Sequence, residues 1–133
     1  MKRIVISVLV FAISAPAFAK THKDEYSIPC KTLWQAVHDV VRNSGKYGIL
    51  SINDEEMQAS YNIGGNLTGK RTNTVLLNPQ GDNGCEMQIQ TAYSGLVNND
   101  AADFKKRVDE SLAKQGAAPA QKDAGNSASP QPK

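Results

Sequence analysis

The last large apolar side chain in this sequence is Leu112, and that limits where a core can form. From Gly116 to Lys133 the residues are Ala, Pro, Gln, Ser, Asn, Gly, Asp and Lys, a mixture that cannot bury enough surface to offset its ordering entropy. At the other end, Lys2 and Arg3 precede an apolar run from Ile4 to Ile13 broken only by Ser7, and Ala17, Phe18 and Ala19 give a small-x-small cleavage pattern. The sequence therefore predicts a signal peptide over 1–19, a short N-terminal extension over 20–25, one folded domain over 26–115 and a disordered tail over 116–133. A membrane-spanning helix needs about 20 consecutive apolar residues, and Pro16 interrupts this run too early. No integral membrane segment is expected after signal removal. The first Cys is Cys30, so no lipid-bearing Cys is expected at the new terminus. The expected location is exported, either periplasmic or secreted.

Charge narrows the partners. The chain carries 15 Lys+Arg against 13 Asp+Glu, but Lys2 and Arg3 leave with the signal and the remainder is balanced. A neutral chain has no general electrostatic pull toward nucleic acid or anionic lipid, so no nucleic-acid partner is expected. The small clusters Lys70, Arg71 and Lys105, Lys106, Arg107 read as solvated surface.

Leu33, Trp34, Val37, Val40 and Val41 recur at helical spacing, with Gln35, Asp39 and Arg42 opposite. Thr32 and Gln35 have the spacing of a capping box, and Gly45 stands where a left-handed residue would end the helix. Four strand-like segments follow, over 48–53, 56–63, 72–78 and 85–94. The last is the cleanest: Cys85, Met87, Ile89, Thr91 and Tyr93 alternate with Glu86, Gln88, Gln90 and Ala92, as in an antiparallel sheet with one covered and one wet face. Turns are expected at Asn53 to Glu55 and from Asn78 to Gly84. A second helix is expected from Asp100 to Lys114, with Phe104, Val108 and Leu112 four apart and Asn99 or Asp100 as cap. The order helix, four-stranded antiparallel sheet, helix, with short connections, predicts an α+β domain with both helices on one sheet face.

The run Leu33, Trp34, Gln35, Ala36, Val37 through Asn43, Ser44 and Gly45, then Ile49 to Asn53, the acidic turn Asp54 to Glu56 and the strand to Tyr61, resembles the helix-grip repeat of the outer-membrane-protein assembly factor BamC and related uncharacterised bacterial envelope proteins. That repeat likewise has a Trp-bearing helix, a Gly, a strand, an Asp-rich turn and a second strand. The resemblance implies a helix-grip-like arrangement and a place in the cell envelope. The sequence departs from the family in having one domain instead of two, no lipid-bearing Cys and a Cys pair of its own.

Two Cys in an exported chain allow one intramolecular bridge, Cys30 to Cys85, whose chain-entropy contribution is about 4 kcal/mol. A thiol catalyst would need a neighbouring Cys or His, and the sequence places neither beside them. No Gly-x-Ser-x-Gly occurs, and His38 falls about 100° from the centre of the first helix's apolar stripe, at a boundary or surface position. Asp54, Glu55 and Glu56 read as solvated turn residues rather than a catalytic carboxylate pair. Gly64, Gly69 and Lys70 match the start of a phosphate-binding loop, but Arg71 stands where Ser or Thr should hold a metal, and the segment joins two strands. It reads as a Gly-rich hairpin loop whose two basic residues suit contact with a partner. Asn66, Leu67 and Thr68 form an acceptor sequon.

Cleavage after Ala19 would create an N-terminal Lys20, Thr21, His22, whose α-amine, two amides and imidazole suit adventitious Cu(II) or Ni(II). No other cofactor is expected. Trp34, Tyr61, Met87 and Tyr93 are candidates either for core packing or for lining a ligand pocket. These features together predict a non-enzymatic exported domain that binds a protein partner in the envelope. The alternative is a carrier of a small apolar ligand between sheet and helix.

Overall fold

The computed structural model describes residues 20–65, 69–92 and 99–117. They form β1 (Lys20–Tyr26), α1 (Cys30–Asn43), β2 (Gly48–Asn53), β3 (Gln58–Ile63), β4 (Arg71–Gln80), β5 (Gly84–Thr91) and α2 (Asp100–Lys114). The strands make one antiparallel sheet in the order β1-β5-β4-β3-β2. Period-two patterning decides its faces. Ala59, Tyr61 and Ile63 of β3, Val75 and Leu77 of β4, and Cys85, Met87 and Ile89 of β5 are buried, and the residues between them are not. Against this face α1 buries Leu33, Trp34, Ala36, Val37, Val40 and Val41, and α2 buries Ala101, Phe104, Val108 and Leu112. The two helices also pack on each other, which is why the narrow stripe of α2 suffices to hold it.

The sheet has five strands, not the expected four. Residues 20–25, read as an extension, belong to β1, which pairs with β5 from Lys20↔Thr91 to Tyr26↔Cys85. The alternation is present, but His22 and Asp24 occupy two of its inward positions, and Tyr26 is its one buried residue. A strand held by ladder hydrogen bonds at a polar edge leaves little hydrophobic signal in the sequence.

Two end signals also read differently in three dimensions. The first helix begins at Cys30 with Pro29 as N-cap and no capping side-chain bond, so Thr32 and Gln35 lie inside it and form no capping box. Pro29 has the fixed φ of its ring, −59°, with an extended ψ, and its carbonyl accepts from the Thr32 and Leu33 amides. Asn99 caps α2 by position but without a side-chain bond, its carbonyl accepting from the Asp103 amide. Gly45 does adopt the left-handed conformation, φ 67°, that the end of α1 requires.

The Cys30–Cys85 disulfide is formed, with the two Cα atoms 4.9 Å apart. It ties the first residue of α1 to β5, beside the point where Tyr26 ends its ladder with Cys85. Such a bond is compatible with an exported protein. No helix among the described residues is long and apolar enough to cross a membrane.

Candidate functional site

Among the described residues, apolar side chains pack between sheet and helices. Tyr61, Met87, Phe104 and Leu33 are fully buried. The Tyr61 ring stacks on Phe104 at 4.9 Å between centroids, and Tyr47 meets both rings edge-on at 4.7 and 5.6 Å. Of the residues read as core or pocket lining, Tyr61, Met87 and Trp34 are therefore part of the packed interior; Tyr93 lies outside the described residues.

That interior is apolar at the disulfide end and polar at the other. On β4 the inward positions run Arg71, Asn73, Val75, Leu77. Arg71 grips Asp100 at the start of α2 with two hydrogen bonds of 2.7 and 3.0 Å, both side chains nearly buried. This corrects the expectation that Arg71 is a solvated residue available to a partner: its guanidinium is an internal tie between β4 and α2. Asn73 faces Tyr61 across the β3–β4 ladder. The hydroxyls of Tyr47 and Tyr61 and both polar ends of Asn73 are buried without a partner among the described residues. An unpaired buried polar group costs about 1–3 kcal/mol, so this cluster is a local cost to stability. Burial pushes the Tyr47 hydroxyl up to about 12 and the Tyr61 hydroxyl further.

A second constellation lies on the surface where α1 meets the β2–β3 turn. Asp54 Oδ1 accepts the Trp34 indole N–H at 2.9 Å and lies 3.1 Å from His38 Nε2. The rings of Trp34 and His38 meet edge to face at 5.5 Å. The i, i+4 spacing of Trp34 and His38 puts both over the turn, and Asn53 Oδ1 holds that turn by accepting from the Glu55 and Glu56 amides. Trp34, His38 and Asp54, with Gln35, Asp39, Arg42 and Asn43, line an open depression of about 400 Å³. Sequence reasoning placed His38 at a boundary or surface position, where it is half-buried, but missed its approach to Asp54, because a contact between a helix and a turn 16 positions later leaves no local pattern. Glu55 and Glu56 are exposed turn residues, as expected.

Lys20, Thr21 and His22 lie extended in β1, opposite Thr91, Gln90 and Ile89. A four-nitrogen chelate wraps the backbone round its ion, so for these residues chelate and ladder are alternatives. The sequon over 66–68 lies outside the described residues, as do the predicted signal peptide and most of the predicted tail.

The two edges of the sheet differ sharply. β1 exposes Lys20, Thr21, Lys23 and Glu25, charges of the kind that discourage further strand pairing. β2, Gly-Ile-Leu-Ser-Ile-Asn, has no charge, and exposes Ile49 at 47% and Leu50 at 54%, the two large apolar side chains left open among the described residues. The β2–β3 register shifts between Ile49 and Ser51, a bulge at Leu50. Ile49 and Ile52 sit opposite the buried Tyr61 and Ala59, so they continue the core face to the edge of the sheet.

No protein-family model matches the sequence, and no curated protein matches it. Solved structures do resemble the fold. A truncated norcoclaurine synthase from Thalictrum flavum is 11% identical, matching 73% of this chain and 92% of that one with a TM-score of 0.54. A point mutant of that synthase in complex with a transition-state analogue is 10% identical over 74% and 96%, with a TM-score of 0.50. The likeness is one of fold: this is an α+β domain of the helix-grip class, with five strands and two covering helices. These matches support the helix-grip arrangement expected from the sequence, and none of them is to the BamC repeat.

Proposed function

We propose that this chain is an exported, non-enzymatic domain that acts by binding a protein partner in the cell envelope. The observation that carries the reading is the packed interior: Leu33, Tyr61, Met87 and Phe104 occupy the space where this architecture would hold a small molecule, which leaves the outer surfaces for recognition. The outer sheet face offers a polar array, in which Glu86 accepts from Gln88 at 2.5 Å and pairs with Lys23 at 3.7 Å, while Ser60 and Thr74 bond at 2.9 Å. The disulfide supports an oxidising compartment, periplasmic or secreted. Purification from the envelope fraction of the host should recover one protein at fixed stoichiometry. Recovery of the domain alone, across mild detergents and salt concentrations, would overturn the reading.

A second reading, a carrier of a small ligand between sheet and helices, is favoured by the unpartnered atoms of Tyr47, Tyr61 and Asn73 and by the complex of the structurally similar synthase. It stands second because the surrounding side chains leave those atoms no exposed surface. An intact mass under native conditions that exceeds the denatured mass by a small organic molecule would reverse the order.

A further inference from the structure

We infer that the partner is recognised at β2, and that what it contributes is an extended, uncharged segment with alternating apolar side chains and a Lys or Arg at its N-terminal end. The inference rests on the protein-binding reading above and names its site. Among the described residues nothing pairs with the outer side of β2, so a row of backbone N–H and C=O groups is left for another strand to complete. The charges that guard β1 have no counterpart on β2, where Ile49 and Leu50 are open instead. An added strand would pass along these two side chains, and its own apolar residues would extend the face that Tyr61 and Ala59 begin.

The ends of β2 set direction and charge. Its C-terminal end runs into Asp54, Glu55 and Glu56, which are exposed. An antiparallel strand, the more stable arrangement, begins at that end, so a basic residue preceding the segment meets the acidic turn. A second copy of this chain fits less well. Two β2 strands related by a two-fold axis would place both bulges at Leu50 near the centre of a six-residue pairing and interrupt the ladder there. A flexible segment can adjust its register to one bulge, whereas a rigid copy cannot.

The test uses the full chain expressed in its own host, with a benzophenone-bearing residue replacing Leu50, or Thr21 on β1, Gln90 on the outer sheet face, or Arg42 on α1. The expected result is a photo-adduct from position 50 and not from position 21. Its partner peptide, sequenced by mass spectrometry, should be uncharged, apolar-alternating and preceded by Lys or Arg. Adding Ile49→Lys should lower the adduct yield about tenfold, the scale of one lost apolar anchor, in a protein whose circular dichroism shows the native fold retained, and Ile49→Val should restore it. An adduct with the mass of two copies would overturn the inference, as would a charged partner peptide or a yield indifferent to Ile49→Lys. An adduct from 90 or 42 but not 50 would sink the β2 site and leave the protein-binding reading standing. The absence of adduct at all four positions would sink both.

Discussion

Tyr61 shows how a single atom can run against the residue that carries it. Its ring is among the best-packed groups in the domain, stacked on Phe104 and met edge-on by Tyr47, yet its hydroxyl is buried with no partner among the described residues. Tyr61→Phe keeps the ring and removes the orphan, so stability should be unchanged or rise by up to about 1 kcal/mol in thermal unfolding. A loss of that size instead would mean that the hydroxyl has a partner, a water or a ligand. Asp54 is the opposite case, an exposed carboxylate that fastens a turn to a helix through the Trp34 indole. Asp54→Ala should cost about 1 kcal/mol and, because Trp34 is the single Trp of the chain, should shift the fluorescence of the native state without abolishing folding. An unchanged emission spectrum would show that the indole bond does not persist in solution.

At the scale of elements, legibility followed hydrophobic contrast. Helix α1 and strands β3 and β5 were readable because Val37, Val41, Tyr61 and Met87 fall at the period of their element and are buried there. Strand β1 was not, since its inward positions include His22 and Asp24, and its existence depends on a pairing with β5 some 65 positions away, between Tyr26 and Cys85 at the near end. The disulfide was readable by elimination, there being one pair to make. The candidate site was only half legible: Ile49 and Leu50 look like core in a one-dimensional pattern, and only the edge position of β2 shows them to be open. Replacing both Cys30 and Cys85 by Ser should lower stability by about 4 kcal/mol in denaturant titration, with the slope altered as the unfolded chain expands. A loss below about 1 kcal/mol would mean that the core alone orders both segments in the unfolded ensemble.

For the molecule as a whole, the carboxylates set a direction with pH. Hydrogen bonds from Gln88 to Glu86, from Asn43 and Ser111 to Asp39, and from Lys46 to Asp103 hold these three below the ordinary carboxylate range. Each contributes stability above its unfolded pKa, near about 4, that is lost as pH falls through the lowered folded value. Asp24 acts in the other sense: burial raises it, so its contribution is present at low pH and lost as pH rises through the raised folded value. With three groups against one, the urea midpoint should fall as pH is lowered from about 5 to about 2, and a flat profile would contradict the hydrogen bonds named here. The pairing of the first strand with the last also carries a consequence in time. A chain emerging N-terminus first exposes residues 20–26 well before their mate among the described strands, residues 85–91, has been made. During that interval the segment is an unsatisfied strand, and its Lys, Asp and Glu side chains keep it from joining whatever edge it meets first. Closure of the sheet is then a late event in folding, and amide exchange in the native protein should be slowest at Tyr26 and quicken toward Lys20, the end farthest from the crosslink.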